Sequence, residues 1–347
     1  MATGSGLDAQ IGFAQATPNW NSSVTPTRFV EFDGGESLKF DPNWVEPTGL
    51  HAGIKYKRAS RAFQSRSAVT GDTGLIEHAT KGMGLLWKHA LGSTIVTPTQ
   101  IGTTTAYKQI HTPGDHLGQG LTIQIGRPEP STGTVRPFLY TGCKFVGWDF
   151  DLKDNGIPTI KLTVDGQAED TTTALATASY LAGSSVFSFN QAQILLGGTA
   201  NTASGETTIT SGVAMATIVN EFSLSSKVPM KVDRYGIGNA GLKAQQLENG
   251  IPTITGKLAA EFSKVELYDV FKANTTLCMQ FILTGAAIGA SGSNFLLSFV
   301  IPAVKLKAAA PNVGGPDIVM MSTDFEVYSD EINPVFQTKI VSDETVL

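Results

Sequence analysis

Three groupings of residues in this 347-residue chain have types and spacings that chemistry asks for. Gly236-Ile-Gly-Asn-Ala-Gly241 has the spacing of a dinucleotide-binding loop and follows a strand-like segment. Such a loop works by opening a helix whose N-terminal amides hold a pyrophosphate. Leu242 to Asn249 and then Gly250-Ile-Pro252 leave no room for that helix, so the segment reads as a glycine-rich turn. His111 and His116, with Asp115 between them, are of metal-ligand type. Their spacing fits no helix face, however, and no third or fourth His or Cys lies nearby. His78 and His89 flank a helical segment, and all four histidines read as surface or loop residues. Asp149, Asp151 and Asp154 crowd the outer face and end of one strand. A paired-carboxylate hydrolase needs such neighbours, one of them with a raised pKa. On a wet strand face they are equally ordinary solubilising charges, and they repel phosphate. The sequence holds no nucleophile elbow, Walker loop or His-Glu-x-x-His. The expectation is therefore a protein that is not an enzyme, with no catalytic, cofactor-binding or metal residues and no cofactor.

The composition points the same way. Twenty-five Lys+Arg against 30 Asp+Glu give a net charge of −5, which disfavours a protein that grips nucleic acid by phosphate neutralisation. An apolar content of 41% with mean hydropathy near zero is too hydrophobic for a solvated coil. Thirty-seven glycines and frequent threonine favour strands and turns over helices. There is no apolar run long enough for a transmembrane helix, and the N-terminus lacks the basic start and apolar stretch of a secretory signal. Cys143 and Cys278 stand far apart and read as isolated small apolar residues of a chain folded in a reducing cytoplasm. The length allows two domains, each able to bury a core.

The elements follow from periodicity. Residues 1–27 read as a polar N-terminal arm. A strand at 28–32 precedes a Gly34-Gly35 turn, and Ile54 and Tyr56 alternate with Lys55 and Lys57 as a second strand. Ala79, Met83, Leu86 and Ala90 with Trp87 predict a helix over 76–91 that Gly92 ends. A Thr-rich loop spans 94–118. Leu121, Ile123 and Ile125 mark a strand. In 145–152, Val146, Trp148, Phe150 and Leu152 face one way and Gly147, Asp149 and Asp151 the other, as a half-buried antiparallel sheet requires. Asn155-Gly156 then turns into a partner strand carrying Ile160, Leu162 and Val164.

Residues 171–220 carry a single charge, Glu206. Within them 186–189 and 194–196 read as strands and 197–212 as a long loop. An uncharged loop suits a surface that another chain covers, since it costs little to desolvate, and equally suits a plain flexible loop. From 216 a second series begins, with strands around 222–232, a helix at 261–274, strands at 277–283 and 295–307, a Gly314-Gly315-Pro316 turn, and strands at 318–321 and 325–328. Strand, helix, strand, strand, turn, strand thus occurs twice, and Thr70-Gly71 before the first helix is matched by Thr255-Gly256 before the second. The division expected is an arm at 1–27, β domains at 28–170 and 171–330, and a polar tail at 331–347.

Several of these segments resemble the tail tube (major tail) proteins of long-tailed bacteriophages. They are Ile11-Gly-Phe-Ala-Gln15, Thr25-Pro-Thr-Arg-Phe-Val30, Glu36-Ser-Leu38, Gly49-Leu-His-Ala-Gly53, Gly82-Met-Gly-Leu-Leu-Trp-Lys-His-Ala-Leu-Gly92, and Tyr140-Thr-Gly-Cys143 leading into the 145–165 hairpin. The resemblance covers most of the chain and is best in the first 165 residues. It implies a mainly β fold of two tandem tail-tube-like β-sandwich or barrel domains, each with one packed helix. It also implies subunits whose strands join into a continuous inner barrel, and rings that stack into the conduit for DNA ejection. Since most members supply one domain per chain to a six-fold ring, the apparent duplication favours a trimer with pseudo-six-fold symmetry over a hexamer. The partners implied are the chain itself, a tape measure protein, and tail tip and tail terminator proteins. Genomic DNA would pass without specific binding, and no membrane is involved. The location implied is the virion tail, after assembly in the host cytoplasm. Arm 1–27 and loops 94–118 and 197–212 are expected to order on assembly. Two other readings share the composition. One is a capsid or tail decoration protein. The other is a carbohydrate-binding β-sandwich module, for which Trp20 and Trp44 would be the platform.

Overall fold

The computed structural model describes residues 4–347 except 216, 263, 264 and 314, and leaves out the side chains of 266 and 312. The protein is mainly β. In the first half, β1 (Gln10–Gln15), β2 (Arg28–Val30) and β3 (Lys39–Asp41) are followed by a short hairpin, β4 (Trp44–Val45) with β5 (Phe63–Gln64). Then come β6 (Ala68–Glu77), helix α1 (Gly84–Leu91), the hairpin β7 (Gly92–Gln100) and β8 (Tyr107–Pro113), and β9 (Leu121–Pro128). The long β10 (Val135–Lys153), β11 (Thr159–Gly166) and β12 (Ala168–Asp170) complete it. The second half opens with β13 (Ala192–Leu196), the hairpin β14 (Thr199–Ala203) and β15 (Glu206–Thr210), β16 (Val213–Ala214) and β17 (Val219–Lys227). A short hairpin, β18 (Met230–Lys231) with β19 (Leu247–Glu248), leads to β20 (Thr253–Glu261) and helix α2 (Glu266–Lys272). The last strands are β21 (Leu277–Ala287), β22 (Asn294–Ala308), β23 (Pro311–Asn312), β24 (Met320–Val327) and β25 (Gln337–Ser342).

One pairing scheme occurs twice. In the first half β2 pairs β1, β1 pairs β9, and β9 pairs β10. On its other edge β10 takes β12 and β11; β11 pairs β6, and β6 pairs β3. In the second half the same places are held by β16, β13, β21, β22, then β25 and β24, then β20 and β17. A short hairpin interrupts both runs at the same point, β4–β5 between β3 and β6 and β18–β19 between β17 and β20. The two long strands even carry a bulge at the same register. Lys144 and Phe145 face Asp165 and Val164, Val146 is skipped, and Gly147 faces Thr163. Lys305 and Leu306 face Glu326 and Phe325, Lys307 is skipped, and Ala308 faces Asp324. A bulge is a specific backbone device, so its recurrence with the pairing order marks one plan used twice.

Two ladders join the halves. β10 pairs β17 from Gly147↔Lys227 to Lys153↔Glu221, and β25 pairs β8. Among the described residues the pairings branch but never return on themselves, so the sheet is open. The buried side chains form one cluster that crosses the join. Trp87 of α1 lies edge-on to Trp148 (centroids 5.2 Å) and to Phe299 of β22 (5.1 Å). Phe150 meets Phe299 at 4.9 Å, and Phe222 stacks on Phe281 at 4.3 Å. The core is therefore shared by the two halves. Phe150→Ala is expected to cost about 3–5 kcal/mol, read from the shift in the urea midpoint, because this closely packed centre has little room to collapse around a void.

Several expectations change where tertiary pairing overrides local pattern. The helix expected over 76–91 is confined to 84–91, since 68–77 is held between β3 and β11 as a strand. Gly92 ends it as expected, with φ 90° and its amide on the Lys88 carbonyl. Ile54–Lys57 is no strand; it lies in the exposed turn between β4 and β5. Residues 94–118 hold the β7–β8 hairpin. Residues 199–210 form β14–β15 around Ser204 and Gly205, both at positive φ as a two-residue hairpin turn requires. Val186 makes only an isolated bridge to Ala79. The bulge turns Phe145, and not Val146, to the side of Trp148. The strands expected at 318–321 and 325–328 fall on one strand, β24, which spans Met320–Val327, and Gly314 of the expected turn lies outside the described residues. The arm contributes a buried strand, β1, between β2 and β9, and the tail contributes β25 between β22 and β8.

Candidate functional site

The core-facing side of the sheet is aromatic, and the opposite side is a broad polar face. Its floor is eight consecutive antiparallel strands in the order β3, β6, β11, β10, β17, β20, β24, β22. Register lines its side chains into rows across the strands. Lys161, Asp149, Ser225, Thr255, Glu326 and Lys305 make one row, and Thr159, Asp151, Ser223, Lys257 and Asp324 the next. The charges alternate and neutralise one another: Lys161 lies 3.6 Å from Asp149, Lys257 3.6 Å and Lys153 3.7 Å from Glu221, and Lys307 2.9 Å from Glu326. The Ser225 hydroxyl donates to Asp149 at 2.7 Å. Asp149 and Asp151 thus stand on the wet face as expected. Burial pushes the Asp151 carboxyl above its ordinary range, with Glu221 and Asp149 adding to it against Lys153 and Lys161.

One end of this face is covered by the excursion 228–252 between β17 and β20, which lies across the join on the first half. Its Lys243 is buried and donates to both oxygens of Asp165, at 2.8 and 2.7 Å. Gln246 donates to the same carboxylate at 2.7 Å and to the Gly142 carbonyl at 3.2 Å. Lys144, opposite Asp165 in the ladder, donates to the carbonyls of Gln246 (2.9 Å) and His116 (2.6 Å). Burial brings the Lys144 ammonium down to about 8 against the pull of Asp115 and Glu248. Gln167 caps the Lys243 carbonyl at 2.6 Å, and the Tyr235 hydroxyl donates to Ser67 at 2.9 Å. Gly236–Gly241 is the exposed tip of this excursion, with no helix after it; the Gly241 carbonyl accepts from the Ser67 amide. No pattern of residue types singled out Lys243, Gln246 or Glu248. Lys144 and Asp165 flank the hairpin that the alternation marks, but the bulge at Val146, which no local pattern announces, is what sets them opposite each other.

The corresponding excursion of the first half, 42–66, is different. Beyond its base at Ser65 and Arg66 it stands free, with Trp44, Leu50, Ile54, Tyr56 and Phe63 exposed. It carries Lys55, Lys57, Arg58, Arg61 and Arg66 against Glu46 alone. Lys57 pairs with Glu46, and Arg66 stacks over Tyr235 at 4.8 Å.

The histidines are a correction. His78, His89, His111 and His116 are all buried and none is on the surface; His78 and His116 lie in connecting segments, His89 in α1 and His111 in β8. The Trp87 indole donates to His78 at 2.9 Å, and His111 lies 3.0 Å from the Thr94 hydroxyl. Burial, helped at His89, His111 and His116 by nearby lysines, lowers them to about 4, 3, 3 and 4 in that order. No group of three or more metal-ligand side chains occurs among the described residues. The sign of the pH effect follows. In the unfolded chain these rings take up protons near 6.5, whereas the folded protein keeps them neutral until about pH 4 or below. Their contribution to stability is complete above 6.5 and is lost as pH falls toward 4. Urea unfolding at pH 7.5 and pH 5 is expected to give a clearly lower midpoint at pH 5.

Cys143 is buried and Cys278 half-buried, and both are free thiols. Burial pushes the Cys143 thiol up. Trp20 packs beside Gly142 while Trp44 stands exposed on β4. No helix among the described residues is long and apolar enough to cross a membrane. Compared with known proteins, residues 6–327 match the family model described as phage tail tube protein. No curated protein matches the chain.

Proposed function

The chain belongs to the phage tail tube protein family, a structural component of the virion tail, and from that premise we propose that three copies close a ring of pseudo-six-fold symmetry whose stacking builds the DNA conduit. The observation that carries this reading is the pairing scheme used twice in one chain, down to the bulge at Val146 and Lys307. Two tandem related units per chain put six such units into a three-chain ring, where a single-unit relative needs six chains. The in-chain ladder β10–β17 then serves as the pattern for a ladder between chains, and an open edge that is a hazard in a monomer becomes a joint.

The polar face is the surface that would line the channel. Its alternating charges are neutralised within rows, so a passing phosphate backbone meets neither a cationic trap nor a continuous repulsive wall. DNA passes without specific binding, and the role is one of structure and not of catalysis. Ring stacking, a tape measure protein inside the growing tube, tail tip and terminator proteins at its ends, and assembly in the host cytoplasm complete the proposal. The test is electron microscopy of the concentrated protein, with end-on class averages made without imposed symmetry. Stacked rings of three chains around a channel are expected. Rings of six full chains would refute the trimer, and particles that never form rings would refute the conduit in favour of a decoration or sugar-binding role.

A further inference from the structure

Resting on the ring proposed above, we infer that the free excursion 42–66 of one copy docks on the second half of the next copy, with Arg58 taking Glu326 as its ionic partner. The contact between the two halves of one chain is the pattern. There, the excursion between β17 and β20 reaches across the β10–β17 join and puts Lys243 on Asp165. The shared plan assigns a counterpart to each part. Asp165 pairs Thr70 on β6 and Lys144 on β10; Glu326 pairs Thr255 on β20 and Lys305 on β22. Lys243 stands twelve residues before Thr255, and Arg58 stands twelve before Thr70.

Inside the chain each counterpart lacks the partner that the pattern calls for. Arg58 has no ion pair among the described residues. Glu326 is held by Lys307 and the Tyr328 hydroxyl of its own half, with no excursion above it. Among the described residues the join it would cross is open as well: β3 is paired on one edge only, and 305–311 has no ladder on the edge away from β24. Charge agrees, since the excursion is strongly basic and Asp324 and Glu326 stand together at the end of β24. The occupant is thus a second copy of this chain, and its exposed aromatic and aliphatic side chains gain cover when it docks.

Charge reversal tests it on the full chain. Arg58→Glu and Glu326→Arg are each expected to reduce the ring fraction about tenfold at fixed protein concentration, by like-charge juxtaposition at the joint, and the double variant R58E/E326R to recover it. A second measurement does not depend on charge: in a Cys278→Ser background, oxidation of R58C/E326C rings is expected to link chains covalently up to one closed ring. Rings that form normally in both single variants, with only uncrosslinked monomer after oxidation, overturn the inference while the ring stands. If the unaltered chain forms no rings, the ring fails first and takes this inference with it.

Discussion

Lys243→Ala is expected to cost about 3–5 kcal/mol of folding stability at pH 7, as removal of one partner from a buried ion pair does. The ammonium is 1% exposed at its side chain and meets both oxygens of a carboxylate that is itself 6% exposed. Without it Asp165 keeps Gln246 as a donor but loses its counter-charge. Desolvation already pushes the Asp165 carboxyl up, and Lys243 is the first of the groups that oppose this. In the variant, Asp165 therefore takes up a proton in the folded state at a pH where the unfolded chain does not. The sign of the result follows: the deficit relative to wild type is largest at neutral pH and shrinks as pH falls through the raised value. Urea unfolding of both proteins across pH 5–8 reads it. The double variant Lys243→Met/Asp165→Leu removes both charges and is expected to recover much of the loss, since a well-packed apolar pair can replace a buried ion pair. A deficit independent of pH, and equal in the double variant, would show that the site acts by packing alone.

Excising the free excursion should separate folding from assembly. The amide of Ser65 donates to the carbonyl of Asn43, so the two ends of the β4–β5 hairpin already lie side by side. Replacing residues 44–64 by Asn-Gly closes that gap with a tight two-residue turn. Almost every residue removed is exposed, so the thermal midpoint is expected to stay within a few degrees of wild type. Ring and tube formation should be abolished, measured by sedimentation and electron microscopy. Tubes of normal appearance from the shortened chain would remove the excursion from the assembly; an unfolded product would show that it supports the monomer fold.

Much of the architecture is legible in the residues because it is encoded locally. Trp148, Phe150 and Leu152 alternate with Gly147, Asp149 and Asp151, and Asn155-Gly156 supplies the turn, so this hairpin follows from pleat and turn chemistry alone. Gly92 ends α1 because only a residue tolerant of positive φ closes that turn. The segments that resemble the family lie within the matched residues 6–327. What escaped is what depends on distant partners. The stripe over 76–91 has helical spacing, but β11 claims its first residues, Ile76 and Glu77, as the end of β6, and the backbone bonds it offers decide the outcome there. β1 and β25 lie in segments whose composition reads as arm and tail, and become strands because two neighbours each present unsatisfied edges. Four histidines in polar-looking contexts are buried by packing that no local pattern announces.

The sequence by itself determined a mainly β chain, its principal hairpin and helix cap, its low and balanced charge and its family, since each of these rests on residue type and short-range spacing. It also held the echo between Thr70-Gly71 and Thr255-Gly256. Only the tertiary structure decided that these two pairs occupy one register in a plan used twice, that both halves share a single aromatic core, and that Lys243 meets Asp165 across the join. Those facts are sums of long-range pairings. A ladder between strands far apart in the chain is selected by the whole sheet's burial and hydrogen bonding, and no single segment carries enough of that free energy to reveal it alone.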